Sequence, residues 1–134
     1  MATKSVKLGI ILLILFIFLF VPYAVYPTTP WIKTGPSLLI STDEARAKRF
    51  GLIIDMRSPQ EREELGYYPN SIPVSMENVV ADVRSLISSN TTNILVYSNG
   101  DNRAKVAANE LYAKGYLNVR YISTSYLRLL PGSQ

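Results

Sequence analysis

Apolar positions along this chain fall into two regimes: one nearly continuous run close to the start, and beyond residue 40 short apolar runs that alternate with segments of helical spacing. Leu8 to Val21 is apolar throughout apart from Gly9, and with Pro22-Tyr-Ala-Val-Tyr26 it reaches the roughly 20 residues that cross a bilayer. Further on, Ser41-Thr-Asp-Glu44 sets a hydroxyl three residues before a carboxylate, the pairing that caps a helix start, and Gly51 is placed to end that helix. Leu52 to Met56 is apolar until Asp55 and predicts a buried parallel strand. Ser58-Pro59-x-Glu61 repeats the cap, with proline where its missing N–H costs nothing, and Gly66 closes a helix of about two turns. Ile72 to Val74 reads as a short strand. From Ser75, the positions Val79, Val80, Val83, Leu86 and Ile87 share one side of a helix, and Ser88 to Thr92 is a polar turn. Asn93 to Tyr97 predicts a strand, Ser98 to Arg103 a polar loop, and Ala104 to Lys114 an alanine-rich helix stopped by Gly115. Val119 to Ile122 is another strand, followed by a turn or two of helix from Thr124 before Pro131.

Alternating strands and helices predict a three-layer α/β domain with a mostly parallel central sheet, because parallel neighbours need crossovers and the crossovers cover both faces. Ligands of such sheets bind beyond the carboxyl ends of the strands. Both Asp55–Ser58 and Ser98–Arg103 lie there. The loop Ser98–Arg103 also opens directly into a helix, whose first N–H groups lack partners within it and converge, with the positive end of the dipole, on an anion cradle.

Charge and proline usage divide the chain further. Lys4 and Lys7 precede the apolar run, Lys33 follows it, and every acidic residue lies at Asp43 or beyond, so the net charge of +4 comes mostly from outside the domain. The expected organisation is a basic tail at 1–7, a transmembrane anchor at 8–26, a Pro/Thr-rich linker at 27–40 and an α/β domain at 41–131. Pro22, Pro27, Pro30 and Pro36 favour an extended chain from Pro22 to Ser37, and Tyr23, Tyr26 and Trp31 are suited to the headgroup level, Trp31 alternatively packing on the domain. No small-residue pair offers a signal-peptide cleavage site, so a retained single-pass anchor is expected. The lysines before it place the N-terminus in the cytosol and the domain outside or in a lumen. Basic and acidic residues interleave from Asp43 onward, which excludes a nucleic-acid partner. The chain has no cysteine, which excludes disulfide scaffolds, thiolate zinc sites and thiol redox chemistry, and it has no histidine. No cofactor and no metal site is expected.

The loop residues Ser98, Asn99, Gly100, Asp101, Asn102 and Arg103 carry a resemblance: rhodanese-like domains hold there a six-residue active-site loop that begins with a nucleophilic cysteine and in many members ends in arginine. Leu52-Ile-Ile-Asp-Met-Arg-Ser-Pro-Gln-Glu61 is similar to a second signature of that family, and Gly66-Tyr-Tyr-Pro69 stands in for its Gly-His-Ile-Pro. The resemblance runs from Ser41 to Pro131 and implies a sulfurtransferase fold. It also implies that Asp55 and Arg57 form a structural pair supporting the loop. Two departures bear on activity. Ser98 occupies the cysteine position, and its oxygen cannot carry a transferable sulfur as a persulfide; activating it as a nucleophile requires an adjacent base. Asp101 replaces the usual glycine and puts negative charge into an anion cradle.

The expected function is therefore a membrane-anchored rhodanese-like domain without sulfurtransferase activity that serves as a binding or scaffolding module for another protein. The alternative is an enzyme or sensor for a small anion, a phosphate or a sulfur oxyanion, held in the same loop. Arg103 either fixes that anion through its planar fork or is neutralised by Asp101 or Asp55. Ser98 either acts as a nucleophile or caps the following helix and ties the loop. Asn90-Thr-Thr92 matches the acceptor pattern for N-linked sugar, and the tyrosines at 112, 116, 121 and 126 read as core and sheet residues.

Overall fold

The computed structural model describes residues 4–25 and 35–133, with side chains for 4–19 and 35–133. The chain divides into two units, Met1–Ser37 and Leu38–Gln134. The first holds helix α1, Lys4–Val25. It continues past Pro22, which the sequence reading counted with the extended stretch: a proline near a helix end forfeits a single hydrogen bond and leaves the turns before it intact. Among the described residues no helix is long and apolar enough to cross a membrane. The expected interfacial residues Tyr26 and Trp31, and Pro27, Pro30 and Lys33, lie outside the described residues, as does the side chain of Tyr23.

The second unit is built on four parallel strands: β1 Leu52–Asp55, β2 Ile72–Pro73, β3 Ile94–Tyr97 and β4 Val119–Tyr121, in the order β2-β1-β3-β4. Helix α2 Thr42–Ala47 precedes β1, and between the strands run α3 Pro59–Leu65, α4 Val79–Leu86 and α5 Arg103–Ala113, with 3-10 turns at Met76–Asn78 and, after β4, at Tyr126–Leu129. Side chains alternate along the central strands and so fill two cores. Ile54, Ile94 and Val96 face Val79 and Val83 of α4 and Ala104, Ala107, Ala108 and Leu111 of α5. Leu95 and Tyr97 face the opposite layer, where Ala45 of α2 meets Ile122, Tyr126 and Leu129. Alanine at three contact positions of α5 lets that helix lie close to β3, which fixes the loop joining them.

Three boundaries differ from the sequence reading. Leu38–Ile40, expected in the linker, joins the sheet instead: Ile40 N–H donates to Tyr121 O at 3.0 Å and Tyr121 N–H to Leu38 O at 3.0 Å. Helix α2 ends at Ala47 rather than at Gly51, whose smallness has another cause, since a Cβ there would lie 2.7 Å from Thr92 Cγ2. Leu86, expected on the buried side of α4, is exposed, whereas Val79 and Val83 are buried and Val80 and Ile87 pack partly buried against the same core. Asn90 is exposed in the turn before β3, at the opposite end of that strand from the loop.

Candidate functional site

Ser58 begins the wall on the β1 side. Its Oγ accepts from Glu61 N–H at 3.2 Å while Glu61 Oε2 accepts from Ser58 N–H at 2.7 Å, the reciprocal capping box that the sequence predicts. This cap holds the Glu61 carboxylate over the end of the sheet. Gly66, at φ 72°, ends α3, and its carbonyl accepts from Arg57 Nη2 at 2.6 Å.

Asp55 and Arg57, both almost wholly buried, form a two-point pair, Nε to Oδ1 at 3.0 Å and Nη2 to Oδ2 at 2.9 Å, while Arg57 N–H also donates to Oδ1 at 3.0 Å. Burial pushes the Asp55 carboxyl up, but the hydrogen bonds and charge of Arg57 outweigh it and hold the group below its ordinary range. Two residues that the sequence reading passed over complete this network. Tyr97 donates its hydroxyl to Asp55 Oδ2 at 3.0 Å and accepts from Tyr68 N–H at 3.1 Å, and Arg62 donates to Asp55 Oδ2 at 3.1 Å and to Ser71 O at 2.6 Å. The Arg57 guanidinium also lies 5.5 Å and 5.2 Å from the ring centres of Tyr97 and Tyr126. Removing one partner of so buried a pair leaves an uncompensated charge and costs about 3–5 kcal/mol. Tyr97 was detectable in sequence as the polar-tipped residue at the carboxyl end of its strand run, and Arg62 as the only basic residue of α3.

The loop Ser98–Arg103 is tied to this base through Asn99 and to itself through Asp101. Ser98, 1% exposed, donates from Oγ to Asp101 Oδ1 at 2.7 Å. Asp101 Oδ1 also accepts from Arg103 N–H at 3.1 Å, so the first turn of α5 is capped by the Asp101 carboxylate, whereas the Asn102 side chain makes no capping bond. Gly100 takes φ 81°, and a Cβ there would approach Ser123 O to 3.3 Å. Asn99 accepts from Arg57 Nη1 at 3.3 Å and donates to Glu61 Oε1 at 3.2 Å, which ties the loop to both earlier elements.

Arg103 turns its fork toward two carboxylates. It meets Glu61 through Nη1 to Oε2 at 2.7 Å and Nη2 to Oε1 at 2.9 Å, and Asp101 through Nε at 3.0 Å and Nη2 at 2.7 Å. Asp55, named by the sequence as a possible partner, is taken instead by Arg57, Arg62 and Tyr97. Arg103 brings the Asp101 carboxyl down to about 2 and holds Glu61 well below the carboxylate range, and the two carboxylates raise Arg103 in turn. Two negative charges on one guanidinium leave the loop without surplus positive charge. Within the loop, the Asp101 carboxylate takes the donors of Ser98 Oγ, Arg103 N–H and the Arg103 guanidinium. No group of residues among those described has the make-up of a metal site.

Beside the loop, beyond the ends of β1 and β2, opens a cleft of about 460 Å³ whose walls include Met56, Pro59, Pro73, Val74, Met76 and Arg103. The sequence reading did not anticipate it, because its walls come from segments with no periodic pattern.

A family model for the rhodanese-like domain matches residues 40–129. No functionally curated protein sequence matches the chain. Among solved structures, the single-domain sulfurtransferase RDL2 of Saccharomyces cerevisiae superposes with TM-score 0.55 at 16% identity, covering 72% of this chain and 90% of that one. The Alr3790 protein from Anabaena sp. gives TM-score 0.54 at 18% identity, covering 66% and 81%. An uncharacterized protein from Saccharomyces cerevisiae gives 0.52 at 15%, covering 70% and 91%. At these identities the likeness concerns the fold alone.

Proposed function

The chain belongs to the rhodanese-like domain family, and from that premise we propose that it is a member without sulfurtransferase activity, tethered to a membrane by its N-terminal helix and serving as a binding or scaffolding module. One observation carries the reading: the Asp101 carboxylate accepts from the Ser98 hydroxyl at 2.7 Å, which sets a negative charge against the position where the family carries its nucleophile. Sulfur transfer also needs a thiolate, and neither Ser98 nor any other residue supplies one in a chain without cysteine. Ser98 has no histidine to activate it, and its one side-chain partner is a carboxylate whose lone pairs Arg103 already occupies. The tether rests on the apolar run Leu8–Val21 of the sequence. Lys4 and Lys7 before that run favour a cytosolic N-terminus with the domain on the other side of the membrane.

Incubating the full chain in neutral detergent with thiosulfate and cyanide is expected to yield thiocyanate at the level of the protein-free blank. Thiocyanate above that blank refutes the reading. A second reading, in which the loop takes a small oxyanion, draws support from the third of the Arg103 side chain that remains exposed. It requires sulfate or phosphate to raise the melting temperature by binding the native state. The inactive-module reading expects no shift beyond that given by chloride at equal ionic strength.

A further inference from the structure

Of the eight asparagines in the sequence, only Asn90 has a hydroxyl residue two places on, in Asn90-Thr91-Thr92. The structure puts this triplet in the turn that joins α4 to β3. Thr92 N–H donates to Ser89 O at 3.4 Å, Thr91 N–H donates to Ser89 Oγ at 3.2 Å, and the Ser89 and Thr91 hydroxyls pair at 2.7 Å. Asn90 is exposed at the second position of that turn, and among the described residues its amide has no hydrogen-bond partner. The amides of Asn78, Asn93, Asn99 and Asn118, by contrast, each donate to a neighbour. Thr92 turns its methyl to Gly51, where a Cβ would lie 2.7 Å from Thr92 Cγ2. Its hydroxyl is likewise unpaired among the described residues, and since no buried side-chain oxygen there lacks a partner, that hydroxyl faces solvent. An amide nitrogen and the hydroxyl two residues beyond it are thus both presented to a visiting enzyme.

We infer that Asn90 carries an N-linked oligosaccharide, acquired when the chain enters the endoplasmic reticulum. This deepens the tether reading and rests on it, because only a domain on the luminal side meets the transferase. The co-reactant is an oligosaccharide joined through C1 of its first sugar to a polyprenyl diphosphate. Asn90 Nδ2 bonds to that carbon, the bond from C1 to the diphosphate oxygen breaks, and the lipid diphosphate leaves with the electron pair. Nδ2 gives up one proton to a base of the transferase, and nothing is oxidised or reduced. The Thr92 hydroxyl is the group by which the enzyme holds the acceptor. The bond closing the turn, at 3.4 Å, is longer than the about 2.9–3.0 Å usual for N–H···O, so the triplet is readily drawn out of the turn. The finished glycan fits the fold. Ser88 to Thr92 carries neither a charge nor a large apolar side chain, and a bulky polar group in such a turn displaces no core residue. The turn lies at the opposite end of β3 from Ser98–Arg103, so the loop stays open to a partner.

Translating the full chain in the presence of endoplasmic-reticulum vesicles tests this by gel mobility. The native chain is expected to gain one step of about 2–3 kDa, a single oligosaccharide, which peptide N-glycosidase removes. Asn90→Gln and Thr92→Val, both confined to the turn, are expected to abolish the step, and Thr92→Ser, which keeps a hydroxyl, to retain it. Protease added outside the intact vesicles is expected to spare the domain and to digest it once detergent opens them. A step that survives Asn90→Gln or Thr92→Val, or that peptide N-glycosidase leaves in place, overturns the proposal. No step on a domain that the vesicles protect also overturns it, while the tether and its orientation stand. No step on a domain digested from outside overturns the orientation and the glycan together, so the two failures are distinguishable.

Discussion

Asp101 decides what chemistry the loop permits, because its carboxylate accepts from both Ser98 Oγ and Arg103 N–H. A cysteine placed at 98 would sit against that charge, which raises the thiol's pKa and keeps it protonated. Ser98→Cys alone is therefore expected to stay near the blank in the thiosulfate and cyanide assay. Combining it with Asp101→Asn removes the charge at nearly constant shape, so the thiolate can attack the outer sulfur of thiosulfate, release sulfite and pass the persulfide sulfur to cyanide. The double variant is expected to exceed the single at least about tenfold, in line with general effects of a misplaced charge on a nucleophile. If the single variant matches the double, Asp101 is not the obstacle. The same carboxylate gives a pH signature. Its folded value of about 2 lies below its ordinary 3.8, so the stability it contributes is complete above the ordinary value and is lost as pH falls through the folded one. Glu61 is shifted in the same direction by Arg103, followed by its bond from Ser58 N–H. Thermal scans are expected to show the melting temperature falling below about pH 4 in the native chain and falling less steeply in Asp101→Asn. Without histidine, no titration of that side chain intervenes near neutrality.

Among the elements, α3 has the tightest local specification, with a proline start, a capping box and a glycine stop. Gly66 is required twice over. Its φ of 72° disfavours any side chain, and a Cβ would meet Tyr126 Oη at 2.7 Å, a hydroxyl already donating to Leu65 O at 3.0 Å. Gly66→Ala is expected to lower stability by about 1–3 kcal/mol in urea unfolding, with an unchanged denaturant slope. A loss below half of that range would mean that the turn relaxes freely. Such elements were legible in the sequence because their signals are local: caps, a glycine stop, and an apolar run bounded by a turn, as in β1 and β3. Leu38–Ile40 was not, because it joins the sheet by pairing with β4, far along the chain, and nothing near it in sequence marks that edge. Within the site, the pairing of Asp55 with Arg57 was expected from the family resemblance of the strand-end motif that holds them. The partner of Arg103 was not: Glu61 had a sufficient local role as a cap, and only the fold brings it across 42 positions to the loop.

At the scale of the whole molecule, two units of opposite character share one chain. The second buries its apolar residues on both faces of a sheet, whereas in the first the described side chains Leu8 to Leu19 are exposed, with Phe18 at 75%. A helix apolar on every side has no amphipathic face to lay on a domain surface, and the hydrophobic term for a dozen such residues in water is large, about 25 cal/mol for each Å² that stays uncovered. Such a run is suited to an apolar surrounding. If that is a lipid bilayer, as the tether proposal holds, the full chain expressed in cells is expected to remain in the membrane pellet through extraction at high pH, which strips peripheral proteins, and to be released by detergent. Leu12→Arg combined with Leu15→Arg places two charges in the middle of the run, at about 2.5–3.5 kcal/mol each on insertion scales, and is expected to shift most of the chain to the soluble or aggregated fraction. The rhodanese-like unit is untouched by those substitutions, so its near-ultraviolet dichroism is expected to survive in any soluble material. Release of the native chain at high pH, with the double-arginine variant behaving identically, would instead assign the run to a protein–protein contact.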